Sequence, residues 1–81
     1  MSNRKIPVIN MQKTGDNIKE LRKKNGLSVK DLQSIFGFNN PGTIYRWQHG
    51  DNMPTIDNLI LLADVFHARI DEILAVDYQE V

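Results

Sequence analysis

Apolar residues recur along this chain at the three-and-four spacing of a helix, and strand-like alternation runs no further than Ile6 to Ile9. The period predicts five helices, each with its own punctuation. Thr14 is placed to cap a first helix over about residues 15–25, with Ile18 and Leu21 facing inward and Asn25-Gly26 as a left-handed stop. Ser28 opens a second helix, with Asp31 completing a short-acid capping box and Val29, Leu32, Ile35 and Phe36 forming the apolar stripe before Gly37. Asn40 as N-cap, Pro41 at the first helical position and Gly50 as terminator bound a short third helix. After Asp51-Asn52-Met53-Pro54, Thr55 caps a fourth helix to about Phe66, and Ile70 to Ala75 forms a fifth before an acidic tail.

The fourth helix is expected to turn Ile56, Leu59, Ile60, Ala63 and Phe66 inward, which leaves Leu61 and Val65 on its far side. Either the Ile6-Pro7-Val8-Ile9 arm or a second copy of the chain would cover them, or they are exposed as scattered apolar residues normally are. The chain thus reads as all-α, with an N-terminal arm (1–13), a helical domain (14–75) and an acidic C-terminal tail (76–81). No internal repeat or low-complexity stretch is visible.

A chain of 81 residues hides only about 60% of the surface its unfolded form exposes, so its core is thin and a deep substrate cavity is not expected. No cysteine is present, which excludes disulfide scaffolds, cysteine-based zinc sites and thiol catalysis, and suits a reducing cytoplasm. The longest apolar run, Leu59 to Ala63, is far short of the roughly 18 residues of a membrane span. Residues 1–10 lack the apolar segment of a signal peptide, so a cytoplasmic location is expected.

The net charge of zero conceals a division. Residues 1–50 hold nine basic and three acidic side chains, a balance of +6, while residues 51–81 hold Arg69 against seven acids, a balance of −6. A cationic half suits a polyanion such as nucleic acid, and an acidic half suits a protein partner; two ordinary solvated faces would look the same in composition.

On a helical wheel of the third helix Ile44 and Trp47 fall together, and Gly42, Tyr45, Arg46 and His49 fall opposite. A helix anchored by so few core residues, yet carrying an aromatic, a guanidinium and an imidazole on its free face, has what reading a major groove requires. Arg46 can donate two hydrogen bonds to guanine or clamp a phosphate, and Tyr45 can donate to phosphate or pack on a thymine methyl. Thr43 can serve either role at the rim, and Gly42 allows close backbone approach.

From GDNIKELRKKNGLSVKDLQSIFGF through TIYRWQHGDNMPTIDNLILLADVF to IDEIL, the chain resembles the phage repressor and Cro-like helix-turn-helix proteins, the xenobiotic-response-element (XRE) family of transcriptional regulators. The likeness covers about residues 14–75 and rests on LRKKNGLS, the Ile44…Trp47…Gly50 spacing, Pro54-Thr55 and the closing IDEIL. It implies a compact five-helix, lambda-repressor-like domain, often dimeric, whose helices two and three form the helix-turn-helix. Carried over by position, it makes Gly42, Thr43, Tyr45 and Arg46 the base-reading candidates and Ser28, Asn40 and His49 the phosphate contacts. Lys24 is added on charge alone.

The chain departs from the family in three places. Val29 stands where members often carry Gln after the second helix's cap, the turn GFNNPG is one residue longer, and Arg22 faces Gln48 where an Arg–Glu ion pair is common. A hydrogen bond is expected in place of that ion pair, or else an outward-turned Arg22 on a phosphate.

Other constellations read as structural. Trp47, aligned with Ile44, belongs to the core and not to a base-stacking platform. His49 and His67 have no metal-ligand spacing, and His67 falls where a helix-ending glycine is usual. Asp71 and Glu72 diverge by about 100° on a helix and suit its dipole more than acid–base catalysis. No enzyme, cofactor or metal is therefore expected. The implied function is sequence-specific double-stranded DNA binding by a small dimeric repressor on a pseudo-palindromic operator. The alternatives are an antitoxin that binds its own operator and meets a basic toxin through the acidic half, or a protein-interaction module on the same fold.

Overall fold

The computed structural model describes residues 4–81. Five helices, α1 (Met11–Lys24), α2 (Val29–Phe36), α3 (Gly42–His49), α4 (Ile56–Phe66) and α5 (Ile70–Ile73), lie between two strands, β1 (Lys5–Ile9) and β2 (Val76–Glu80). The strands pair antiparallel, Lys5 opposite Glu80 and Ile9 opposite Val76, so the two chain ends form one ribbon. The five helices stand as expected, but the purely all-α reading is corrected by this sheet. The ribbon escaped detection because strands are recognised by one buried face, and nearly every residue of this one is exposed.

Helix α1 begins four residues before the expected start. Asn10 caps it, its Oδ1 accepting from the Lys13 amide at 2.9 Å. Thr14 is instead fully buried inside the helix, where its hydroxyl accepts the Ala75 amide at 2.9 Å. Thr14 does not cap because its hydroxyl satisfies a distant donor, the Ala75 amide, rather than one in its own helix. Arg22, Lys23 and Lys24 occupy the last turn, where the helix dipole favours cations, and Gly26 takes the left-handed conformation (φ 69°) beyond it.

Helix α2 carries the expected reciprocal cap: the Asp31 amide donates to Ser28 Oγ at 2.9 Å and the Ser28 amide donates to the Asp31 carboxylate at 2.8 Å. The Asp31 carboxyl lies below the ordinary 3.8, chiefly through the Ser28 amide and then through the Ser28 side chain. Gly37 ends the helix with φ 71°.

The third helix starts one position later than expected. Pro41 occupies the cap, and Asn40 reaches past it, its Oδ1 accepting from the Gly42 amide at 2.9 Å. The extra residue in the turn produces this slip. Helix α4 has the expected bounds, and His67 closes it in the left-handed conformation (φ 52°). Helix α5 stops at Ile73, short of the expected Ala75, because Ala75 leaves the helix to bond Thr14 and to accept from the Asn10 amide.

The core gathers Ile18, Leu32, Ile44, Trp47, Leu59, Leu62, Phe66 and Ile73. In α4 the inward stripe is Leu59, Leu62 and Phe66; Ile56 is 78% and Ile60 56% exposed, whereas Leu61 and Val65 are half-buried. The expected stripe was out of phase because only Asp57, Asn58 and Asp64 of this helix are polar, and a helix apolar nearly all round does not reveal its inner face. The Ile6-Pro7-Val8-Ile9 arm, one of the two candidates to cover Leu61 and Val65, pairs with β2. Among the described residues no helix is long and apolar enough to cross a membrane.

Candidate nucleic-acid interface

Trp47 is the keystone of the helix-turn-helix. It is 2% exposed, and its ring meets Phe36 of α2 and Phe38 of the turn edge-on, with centroids 5.4 and 5.8 Å away. Phe36 and Phe38 stack on each other at 5.3 Å, so one aromatic cluster ties α2, the turn and α3 together. Ile44, one turn before Trp47, is fully buried.

Helix α1 presses on α3 from behind. A Cβ at Gly15 would lie 2.5 Å from the carbonyl oxygens of both Trp47 and Gln48, so only glycine permits this approach. Sequence reasoning passed over Gly15, because nothing local distinguishes a close-packing glycine inside a helix. Beside it Arg22 turns inward: Nε donates to Gln48 Oε1 at 2.9 Å and Nη1 to the Leu27 carbonyl at 2.8 Å. The expected hydrogen bond is present, and Arg22 does not turn outward.

With Ile44, Trp47 and Gln48 buried, the opposite face of α3 is directed outward. Tyr45 is 44% exposed, Arg46 and His49 are exposed, and Gly42 and Thr43 are half-buried at the helix start. Arg46 Nη2 donates to Thr43 Oγ1 at 3.2 Å, and the Tyr45 and His49 rings lie nearly parallel at 6.5 Å. The base-reading candidates Gly42, Thr43, Tyr45 and Arg46 therefore share one surface, with His49 at its far end.

A groove opens beside this surface at Tyr45 and His49, lined also by Gln12, Asp16, Lys19 and Arg22 of α1, Val29 of α2 and Gln48 of α3. Gln12 and Lys19 were not singled out from sequence. In the sequence Gln12 falls in the arm and Lys19 is one cation among nine in its half; only packing puts both beside Tyr45 and His49.

The phosphate candidates divide. Ser28 uses its oxygen as an acceptor in the cap, and its hydroxyl proton is shared with the neighbouring Asp31 carboxylate. Asn40 uses Oδ1 for the Gly42 amide, which leaves its NH₂ to donate. Both are exposed at the starts of α2 and α3, where the helix dipoles favour an anion. Lys24, exposed in the last turn of α1, does not line the groove. Among the described residues no group of His, Cys, Asp or Glu is arranged to hold a metal.

A helix-turn-helix family profile matches residues 18–73. Two solved structures share the fold. One, described as the DNA-binding domain of BldD, superposes with a TM-score of 0.67 at 21% identity, covering 80% of this chain and 93% of that one. The other, the S. venezulae BldD DNA-binding domain, gives a TM-score of 0.68 at 23% identity, covering 80% and 96%. At these identities the likeness is one of fold. No curated protein matches the chain.

Proposed function

The chain belongs to the XRE-type helix-turn-helix family of DNA-binding transcriptional regulators, and from that premise we propose that it is a small repressor, dimeric on a pseudo-palindromic operator. The observation that carries this reading is the division of α3: Ile44 and Trp47 are locked into the core, and Thr43, Tyr45, Arg46 and His49 face outward on a rigid helix. Rigid presentation matters because side chains that read bases must meet donors and acceptors at fixed positions in the groove.

The roles follow from chemistry. Arg46 offers a guanidinium to a guanine edge, and Thr43 steadies it from one turn away. Tyr45 and Val29 both line the groove and supply an apolar contact for a thymine methyl. Ser28, Asn40 and His49 flank these residues with donors for phosphate and fix the register of α3 on the duplex. Val29 stands where a polar side chain is common in the family, so this protein reads that position through apolar contact, not through a hydrogen bond. Bound at a promoter, the dimer would act by occlusion, with half-sites about one helical turn apart.

Fluorescence anisotropy of the protein on a labelled mixed-sequence duplex pool, titrated at several salt concentrations, tests DNA binding first. Binding whose log affinity falls linearly with log salt is expected, with a slope that counts the phosphates neutralised. No binding at low salt and high protein concentration would defeat the repressor reading and turn attention to protein partners of the acidic half.

A further inference from the structure

The β1–β2 ribbon has two outer edges, and they are not alike. The Val81 amide donates to the Arg4 carbonyl at 3.1 Å and the Asn10 amide to the Ala75 carbonyl at 2.8 Å, which brackets the ladder between two hydrogen-bonded pairs. Antiparallel ladders alternate, so Ile6 and Val8 turn their backbone groups toward β2 while Lys5, Pro7 and Ile9 turn theirs away. By the same parity Val76, Tyr78 and Glu80 of β2 face outward. Pro7 thus sits where it has no ladder bond to lose, and it interrupts the outer edge of β1 at its middle, a common protection against strand addition. The outer edge of β2 has no proline. The backbone groups of Val76, Tyr78 and Glu80 make no hydrogen bond to another described residue, and all three side chains are exposed.

We propose that this edge of β2 is where two copies of the chain meet, pairing antiparallel about a twofold axis at Tyr78 to form one four-stranded sheet in the order β1-β2-β2-β1. The inference deepens the dimeric reading above by naming its interface. A second copy fits because this register repeats itself about the axis and sets no two acids opposite: Tyr78 meets Tyr78, Asp77 meets Gln79 and Val76 meets Glu80. Moving the axis to Asp77 opposes two aspartates, moving it to Glu80 opposes two glutamates, and moving it to Gln79 pairs only residues 78–80 of β2. Each acid is also engaged within its own chain. Asp77 Oδ2 accepts from Asn10 Nδ2 at 3.0 Å, and Glu80 lies opposite Lys5. Pairing extends a ribbon that is marginal as two strands, and joins the Ile9, Val76, Pro7 and Tyr78 side chains of both copies along one face.

Sedimentation equilibrium of the full chain without DNA tests the interface apart from DNA binding. The unmodified protein is expected to be a dimer. Tyr78→Phe keeps it. Tyr78→Pro removes one outward amide and no bond within the ribbon, and Tyr78→Lys opposes two ammonium groups at the axis; each is expected to raise the dimer dissociation constant at least tenfold. Far-UV circular dichroism reports whether each variant is folded, and if Tyr78→Pro is not, Tyr78→Lys decides. A folded Tyr78→Lys protein that stays as dimeric as the parent would overturn the interface, and so would a parent that is monomeric at every concentration. Duplex binding in the anisotropy titration would survive either result.

Discussion

Helix α3 and the β1–β2 ribbon both present exposed side chains, but they are held by opposite means. The helix is fixed from behind by side-chain burial: Ile44 and Trp47 lie in the core, and α1 approaches closely enough to require Gly15. The ribbon buries almost nothing and is fixed by its backbone ladder, with Thr14 and Asn10 fastening its base to α1. Packing distributes its energy over many atoms, whereas a ladder between two strands is only marginally stable in water. Helix α3 should therefore resist local opening, and the ribbon should yield first unless a further strand joins it.

The largest effect is expected from Trp47→Ala. Loss of the indole removes the partner of Phe36 and Phe38 and leaves a cavity, at a cost of about 3–5 kcal/mol in unfolding free energy. Chemical denaturation followed by circular dichroism would show it, and DNA binding should fall with the folded fraction. A loss below 1 kcal/mol would mean that α3 is not held by its core face.

Thr14→Val attacks the other side of the comparison. It keeps the shape but leaves the Ala75 amide without its acceptor, which should cost about 1–3 kcal/mol. Hydrogen exchange should accelerate at Ala75 and along residues 5–9 and 76–80 more than in α3. Uniform acceleration through the whole chain would show that ribbon and helices open as one unit.

Arg46→Ala sharpens the reading of α3 without disturbing what holds it. Binding to a selected operator should weaken by about 1–3 kcal/mol, with relaxed preference at one base pair and an unchanged melting temperature. Equal weakening on every sequence would reassign Arg46 to a phosphate.

The smallest effect concerns pH. The folded value of Asp31 lies below its ordinary 3.8, so its capping contribution is present above that value and fades as the pH falls through the lower folded one. Asp31→Asn should remove that part of the acid dependence below pH ~4, measured by melting temperature against pH. An identical acid limb in the variant would place the dependence on other carboxylates.

What the sequence determined by itself was whatever local chemistry can carry. Ser28 and Asp31 meet three residues apart, Gly37 and Gly50 take left-handed turns within their own helix ends, and Ile44 and Trp47 share a face because a helix repeats every 3.6 residues. The outward set of α3 follows from the same geometry, so most of the candidate surface was legible. Tertiary structure decided what depends on distant partners. The burial of Thr14 depends on Ala75, 61 residues away, and the strand conformation of β1 on β2 at the other end of the chain. Gln12 and Lys19 join the groove only because Gly15 lets α1 lie against α3. The inner face of α4 was likewise undecided, since a helix apolar on nearly every side can rotate until its neighbours choose which residues to bury.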